Sequence, residues 1–385
     1  MAVSVMTGSR SVATAVKLAK PEVIAAYPVT PQTEIVEDIA TFIKNKELNT
    51  KFIKVESEHS AMSALIGASA AGARTFTATA SQGLMYMAEV VHWAAHARLP
   101  IVMAVATRAL ASPWSILNDH TDFLIQHNSG WIQIMCENNQ EALDTTLQAF
   151  KIAERNDIML PVMVGLDGFI LTHTSMPVSV PDAEAVDSFL GKRSAPFALD
   201  PEKPLTFGNV VDEKYFMEMR YKMFESMQNA KKAINEIAEA YAKLSGRSYG
   251  IVDCYECEDA EHMIVVMGAA SGDAKVAADL LRKEGIKAGV LRLRVIRPFP
   301  KEEIAGILGG KNSVTIVERD LSAGIGNILA QDIKSALYDA GAKVFVKSYI
   351  AGLGGRDILP DDFVNAVKST MSGKRGDEWI RLNLG

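Results

Sequence analysis

The chain has 385 residues, a net charge of −6, 48% apolar and 22% charged residues, which is the composition of a globular protein large enough for two domains. The acidic balance and the lack of a basic run argue against nucleic acid as a partner, and no window approaches the roughly 18 uninterrupted apolar residues of a membrane span. Three cysteines (Cys136, Cys254 and Cys257) do not make a disulfide framework, and the opening MAVSVMTGSRSVATAVKLAK has Ser, Arg and Lys where a signal peptide needs an apolar segment, so a cytoplasmic protein is expected.

In chain order, VIAAY (23–27), KFIKV (51–55), RTFTATA (74–80), LPIVMAVA (99–106) and MLPVMVGL (159–166) read as strands. Helical patterns fall at 9–20, 33–46, 58–72, 83–97 and 139–154. This alternation predicts a mostly parallel sheet covered by helices on both faces. Ligands of such sheets gather beyond the carboxyl ends of the strands, so the loops there are the candidates. Residues 176–212, rich in proline, predict an extended arm, and a long polar helix follows over about 213–246. SGRSYGIVDCYECEDAE reads as the boundary, giving domains at 1–246 and 262–385 joined by 247–261. In the second domain HMIVVMGAA, AGVLRLRVIRP, SVTIVERD and KVFVKSYIAG read as strands, with helices at 272–285, 301–308, 325–340 and 360–371.

The loop YPVTPQT (27–33) sets Thr30 between Pro28 and Pro31. Each proline fixes its own φ and disfavours the helical region for the residue before it, so Val29 and Thr30 are expected extended in a stiff loop. It is either a rigid turn or a loop that presents Thr30. Glu56-Ser-Glu58-His59 ends one strand and opens a helix of small residues, where a first-turn carboxylate is either a favourable cap or a functional group. Thr79-Ala-Ser81-Gln82-Gly83 suits a loop passing a ligand and equally an N-cap. Arg108 stands at another strand end, able to grip a carboxylate or to pair with an aspartate of the loop WSILNDHTD, which carries Trp114, Asn118, Asp119, His120 and Asp122.

Other motifs are weaker. Cys254-Tyr-Glu-Cys257 has only Cys136 and His262 to complete a four-ligand metal set, and two cysteines in a linker is the plainer reading. Gly268-Ala-Ala-Ser-Gly272 could hold an anion at a helix start but lacks the dinucleotide fingerprint. Gly352-Leu-Gly354-Gly355-Arg356-Asp357 has a similar ambiguity. Gly268–Gly272, with the absence of a complete catalytic set in this chain, sustains a distant alternative, a non-catalytic nucleotide-binding scaffold. No Ser–His–Asp order or paired-carboxylate spacing supports a hydrolase.

Taken in order, YPVTPQT, SEHSAMSALIGASAAGARTFTATASQGL, TRALASPWSILNDHTD, LPVMVGLDGFILTH, LRLRVIRPFP and AGLGGRD resemble the α subunits of the pyruvate:ferredoxin oxidoreductase family along essentially the whole chain. The resemblance implies an α/β fold: a doubly wound, pyrimidine-type thiamine-diphosphate-binding domain plus a smaller transketolase C-terminal-like α/β domain. It implies an enzyme that decarboxylates a 2-oxoacid on thiamine diphosphate, passes two electrons through iron–sulfur clusters to ferredoxin and transfers the acyl group to coenzyme A. Mg²⁺ and the diphosphate would sit on a β subunit. A γ subunit and a ferredoxin-like δ subunit or its equivalent would carry or serve the clusters.

Carried over residue by residue, Glu58 matches the glutamate that hydrogen-bonds the aminopyrimidine ring and favours the imino tautomer that takes the thiazolium proton. Glu56 is then the bystander. Pro28 joins Glu58 as a cofactor-binding position. Thr30 matches the threonine that contacts the substrate's oxygens, and Arg108 the arginine that binds its carboxylate and orients the 2-oxo carbon. A relative acting on oxalate has arginine where Thr30 stands, so the resemblance favours pyruvate here. The departures in WSILNDHTD keep a branched-chain 2-oxoacid, 2-oxoglutarate or oxalate as alternatives.

Overall fold

The computed structural model describes residues 2–376 and 378–385. In the first half the strands are β1 (Ala2–Thr7), β2 (Val23–Ala26), β3 (Lys51–Lys54), β4 (Thr75–Thr79), β5 (Ile101–Thr107), β6 (Ile132–Met135), β7 (Val162–Asp167) and β8 (Ser175–Val180). β4, β5 and β7 are buried along their whole length, which explains their nearly unbroken runs of apolar and small residues. All pairings among β2 to β7 are parallel. β1 and β8 form a separate antiparallel ribbon.

The second half supplies β9 (Val252–Tyr255), β10 (His262–Val266), β11 (Ala288–Leu293), β12 (Val295–Arg297), β13 (Ser313–Glu318), β14 (Phe345–Ile350) and β15 (Glu378–Trp379). Its sheet runs β15-β14-β13-β10-β11-β9, parallel except for β9. The first sheet runs β12-β6-β7-β5-β4-β2-β3.

Several details depart from the sequence expectations. AGVLRLRVIRP is two strands in two sheets: β11 ends at Leu293, and β12 crosses over to pair antiparallel with β6. Arg294, at the joint, is 1% exposed and donates to Glu141 Oε1 at 2.6 Å and Thr145 Oγ1 at 2.9 Å. A buried ion pair therefore fixes the point where the chain changes sheets. The helix expected over 83–97 is Ser81–Tyr86 and Ala88–His96, divided at Met87. The expected arm 176–212 begins with β8 and contains the helix Ala183–Leu190 before becoming irregular. Within 247–261 lies β9, whose Asp253 bonds Arg292 and Lys275.

The long helix Glu213–Ser245 has two characters. Its second half buries Ala230, Ala233, Ile234, Ile237 and Tyr241, while Tyr215, Phe216, Met219 and Phe224 in its first half are exposed. Among the described residues, no helix is long and apolar enough to cross a membrane.

Candidate active site

The first sheet reverses its direction of growth between β2 and β4. From β2 the chain goes outward to β3, returns to β4 on the other side, and continues to β5. Ligand crevices form at such a point, beyond the carboxyl ends of the strands. The loops there are 27–32 after β2, 55–57 after β3, Ala80 after β4 and 108–120 after β5.

The YPVTPQT loop is pinned from below. Gln32 is fully buried, donates to the Ala78 carbonyl at 2.5 Å and accepts from the Val29 N–H at 3.3 Å. The Thr30–Pro31 peptide is cis. Thr30 and Pro28 are exposed. Rigidity and presentation thus coexist in one loop.

Glu58 opens the helix Glu58–Ala70, whose N-cap is Ser57, accepting from the Ser60 N–H at 3.2 Å. The cap is therefore Ser57, and Glu58 is free of that duty. Glu58 is 8% exposed, and among the described residues its carboxyl group has no hydrogen-bond partner. Gly83 lies against it: a Cβ there would stand 2.5 Å from Glu58 Oε1 and 2.6 Å from Thr79 Oγ1. The Thr79 hydroxyl is itself buried without a partner. Glu56, by contrast, is exposed and bonded to the Ser60 hydroxyl, which lowers its pKa.

Arg108 is 4% exposed. Its Nη1 donates to the Thr30 carbonyl at 2.7 Å, its Nη2 donates to Gln82 Oε1, and the ring of Trp114 lies 5.5 Å from its Cζ. Burial pulls its pKa below the ordinary arginine value, with Asp122 opposing. Among the described residues it forms no ion pair, and its buried Nε has no partner. A guanidinium has five N–H donors, so several remain for a ligand oxygen. Gln82 and Gly83 join the two halves of the site: Gln82 bonds Arg108 and Gly83 touches Glu58. Thr30, Arg108 and Glu58 are thus brought together through adjacent residues of one turn. Pro28 sits on the same loop as Thr30 and makes none of these contacts.

The loop after Arg108 locks the two sheets together. Asp167, at the end of β7 and fully buried, receives Asn118 Nδ2, faces His120 Nε2 at 2.9 Å and accepts the Ala269 N–H at 2.9 Å. Burial acts to raise its pKa, but His120, Arg319 and the Ala269 N–H hold it below the ordinary value. The Gly268 turn therefore already has an anion from the chain's own sheet, and a Cβ at Gly268 would collide with it. That occupies the turn on which a nucleotide-binding reading rested. The Gly352–Asp357 turn is absorbed likewise: Gly355 N–H donates to the Asn118 carbonyl at 2.8 Å, and Arg319 donates to the Gly352 carbonyl at 2.8 Å.

Gln82 and Asp122 were visible in the sequence only as loop members. Their roles depend on the register of β4 against β5, which no local pattern encodes. Cys257 Sγ donates to the Val290 carbonyl at 3.3 Å, and Cys254 and Cys257 line an open cavity of about 530 Å³ with Lys311. Among the described residues no group of three or more His, Cys, Asp or Glu could hold a metal.

Comparison with known proteins gives the family. The family model for the thiamine diphosphate-binding domain of pyruvate flavodoxin/ferredoxin oxidoreductase matches residues 14–239, and that for pyruvate:ferredoxin oxidoreductase core domain II matches 260–363. Pyruvate synthase subunit PorA of Methanocaldococcus jannaschii is 50% identical over 368 residues, 95% of this chain and 94% of the relative. Ketoisovalerate oxidoreductase subunit VorA of Pyrococcus abyssi is 44% identical, covering 98% of this chain and 97% of the relative. Among solved structures, a 2-oxoglutarate:ferredoxin oxidoreductase from Magnetococcus marinus has a similar fold, with a TM-score of 0.76 at 21% identity over 96% of this chain and 65% of that one. The chain belongs to the pyruvate flavodoxin/ferredoxin oxidoreductase family.

Proposed function

We propose that the chain is the α subunit of a cytoplasmic, multi-subunit 2-oxoacid:ferredoxin oxidoreductase whose substrate is pyruvate. Pyruvate, coenzyme A and two oxidised ferredoxins give acetyl-coenzyme A, CO₂, a proton and two reduced ferredoxins, reversibly. The observation that carries this reading is the Glu58 side chain, 8% exposed at the crevice and backed by Gly83, whose carboxyl group makes no hydrogen bond among the described residues. A carboxyl kept without a protein partner in such a place suits a ring nitrogen of a bound cofactor.

When bound, thiamine diphosphate supplies the nucleophilic carbon that adds to the 2-oxo group and the electron sink that lets CO₂ leave. Glu58 would hold the aminopyrimidine ring of that cofactor and offer a carboxyl group able to exchange a proton with it. Arg108 holds the substrate carboxylate with the N–H groups not used by Thr30 and Gln82, orienting the 2-oxo carbon for attack. Thr30 contacts the substrate's oxygens and leaves room for a monocarboxylate. Pro28, on the same loop as Thr30, would contact the cofactor. The diphosphate and Mg²⁺ belong to a β subunit, and iron–sulfur clusters to γ and ferredoxin-like δ partners. Three cysteines cannot ligate a four-cysteine cluster, which is consistent with that division.

A branched-chain 2-oxoacid is the second reading, favoured by the 44% identity to a ketoisovalerate oxidoreductase subunit. The test is to purify the native complex and assay pyruvate, ketoisovalerate, 2-oxoglutarate and oxalate with coenzyme A and ferredoxin or a viologen dye. The highest kcat/KM is expected for pyruvate. A preference for ketoisovalerate replaces the substrate, and turnover of none of the four overturns the function.

A further inference from the structure

β4 and β5 are neighbours in parallel register, Thr79 opposite Val105. Beyond that pair the two chains diverge. Ser81 turns off in the left-handed region at φ 47°, starting the helix that carries Gln82 and Gly83, and Arg108 begins the loop toward Trp114. Both backbone N–H groups would be orphaned in a buried place. One carboxylate oxygen takes both: Asp122 Oδ2 accepts from Ser81 N at 2.7 Å and from Arg108 N at 3.1 Å. Asp122 Oδ1 accepts from Phe123 N at 2.7 Å, and the residue is fully buried. The Ser81 hydroxyl adds a bond to the Ala109 carbonyl at 2.6 Å. The guanidinium of Arg108 makes no ion pair with this carboxylate and points instead to the Thr30 carbonyl and Gln82.

We propose that Asp122 is a positioning residue for 2-oxoacid binding: through the backbone of Ser81 and Arg108 it fixes the two strand ends so that the Arg108 guanidinium, Gln82 and Gly83 hold one arrangement. The proposal rests on the function proposed above. It explains why a carboxylate stands beside an arginine without neutralising it. The backbone satisfies the anion and leaves the cation for a ligand.

The same geometry is sensitive to protonation. Oδ2 already accepts two N–H groups, so a proton there displaces one of them, and a proton on Oδ1, which accepts only from Phe123 N, removes the charge that strengthens all three bonds. The charged groups nearby are Arg108 at the end of β5 and Asp119 in the preceding loop. Arg319 and Asp320 come from the loop that contacts His120 and Thr121, and His127 lies in the following turn, bound to the Leu124 carbonyl. The helix Ser81–Tyr86 brings no charged residue. Burial raises the Asp122 pKa to about 7, against the three N–H donors and with help from Asp119. Below that pH the clamp loosens, and KM for the 2-oxoacid rises as pH falls.

The test uses the reconstituted complex with full-length subunits, wild type and Asp122→Asn, with pyruvate KM and kcat measured from pH 5.5 to 8.5. An asparagine presents an NH₂ to an N–H on one side, so KM should rise about tenfold at pH 8 with kcat within about threefold, and the inflection in KM near pH 7 should vanish. A purely structural role would lower the thermal midpoint and the active fraction, leaving KM and its pH profile unchanged; that result overturns the proposal. If the variant does not assemble, the wild-type profile decides: a KM flat between pH 6 and 8 overturns the proposal, and an inflection near 7 supports it. A wild-type complex that turns over no 2-oxoacid removes the function itself, which is distinguishable from an active complex indifferent to Asp122.

Discussion

Gly83 backs the carboxyl group of Glu58 so closely that a methyl group at residue 83 would stand 2.5 Å from Glu58 Oε1. The requirement here is for space. Gly83 is not among the residues with positive φ, so alanine is not excluded by the backbone. Gly83→Ala should therefore push the Glu58 side chain out of place while leaving the fold intact. A displacement of about 1 Å at a reacting centre can cost about 100-fold in rate. Turnover of the assembled complex should fall by about tenfold to 100-fold, with a thermal midpoint within a few degrees of wild type. Turnover within twofold of wild type would show that the contact has no catalytic consequence.

Glu58→Gln tests the carboxyl group itself. The amide is isosteric but cannot exchange a proton, and losses from removing a general acid–base group run to about 10²–10⁴-fold. A fall of that size is expected in turnover, with the complex still assembled by native mass spectrometry and thiamine diphosphate still bound. Glu56→Gln is the control. Glu56 is exposed and tied to Ser60, and its loss should leave turnover within twofold. Equal damage from both substitutions would assign the effect to the loop and remove Glu58 from its special position.

Much of this site was legible because it lies at strand ends, where short motifs report local geometry. VIAAY followed by two prolines, and KFIKV followed by Glu56-Ser-Glu58-His59, mark Thr30 and Glu58 as candidates at strand ends, and the resemblance is what separates Glu58 from Glu56. Arg108 was found by the same rule. What sequence could not supply is register. Nothing near Asp122 says that its carboxylate reaches Ser81, 41 residues away, or that Gln82 will take Nη2 of Arg108. AGVLRLRVIRP reads as one strand because Val, Leu and Ile alternate with arginine through both parts without a turn signal. The break at Arg294 depends on Glu141, which is 153 residues away. The glycine turns at 268 and 352 are ambiguous in the sequence, with a tight turn the plainer reading, because glycine marks close approach of any kind, and here the approaching groups are Asp167 and Arg319.

In the proposed function, Arg108 and Thr30 would divide substrate recognition between charge and space. Arg108→Lys keeps the positive charge but loses the planar fork that reaches the Thr30 carbonyl and Gln82 at once. KM for pyruvate should rise by about tenfold or more, with a smaller change in kcat. Thr30→Arg brings a second cation to an exposed position beside the first. Pyruvate turnover should fall severalfold or more, and the ratio of oxalate to pyruvate turnover should rise. If Arg108→Lys leaves the pyruvate response unchanged, the guanidinium serves only to brace the loop.

The joint between the sheets gives a prediction about stability. Glu141 is 1% exposed and receives Arg292 Nη1 at 2.7 Å and Arg294 Nε at 2.6 Å. Burial acts to raise its pKa, but the two guanidinium groups outweigh it and hold the carboxyl below its ordinary value of 4.5. A group depressed in the folded state contributes stability above its unfolded pKa, and that contribution is lost as pH falls through the lower, folded value. Glu141→Gln leaves two buried cations with less compensation, and removing one partner of a buried pair costs about 3–5 kcal/mol. The denaturant midpoint at pH 7 should drop by the corresponding amount. Below about pH 4 the gap between wild type and variant should narrow, because acid then removes from the wild type what the substitution already removed. A gap that stays constant from pH 7 to pH 3 would mean that Glu141 holds the joint by packing and hydrogen bonding and not by its charge.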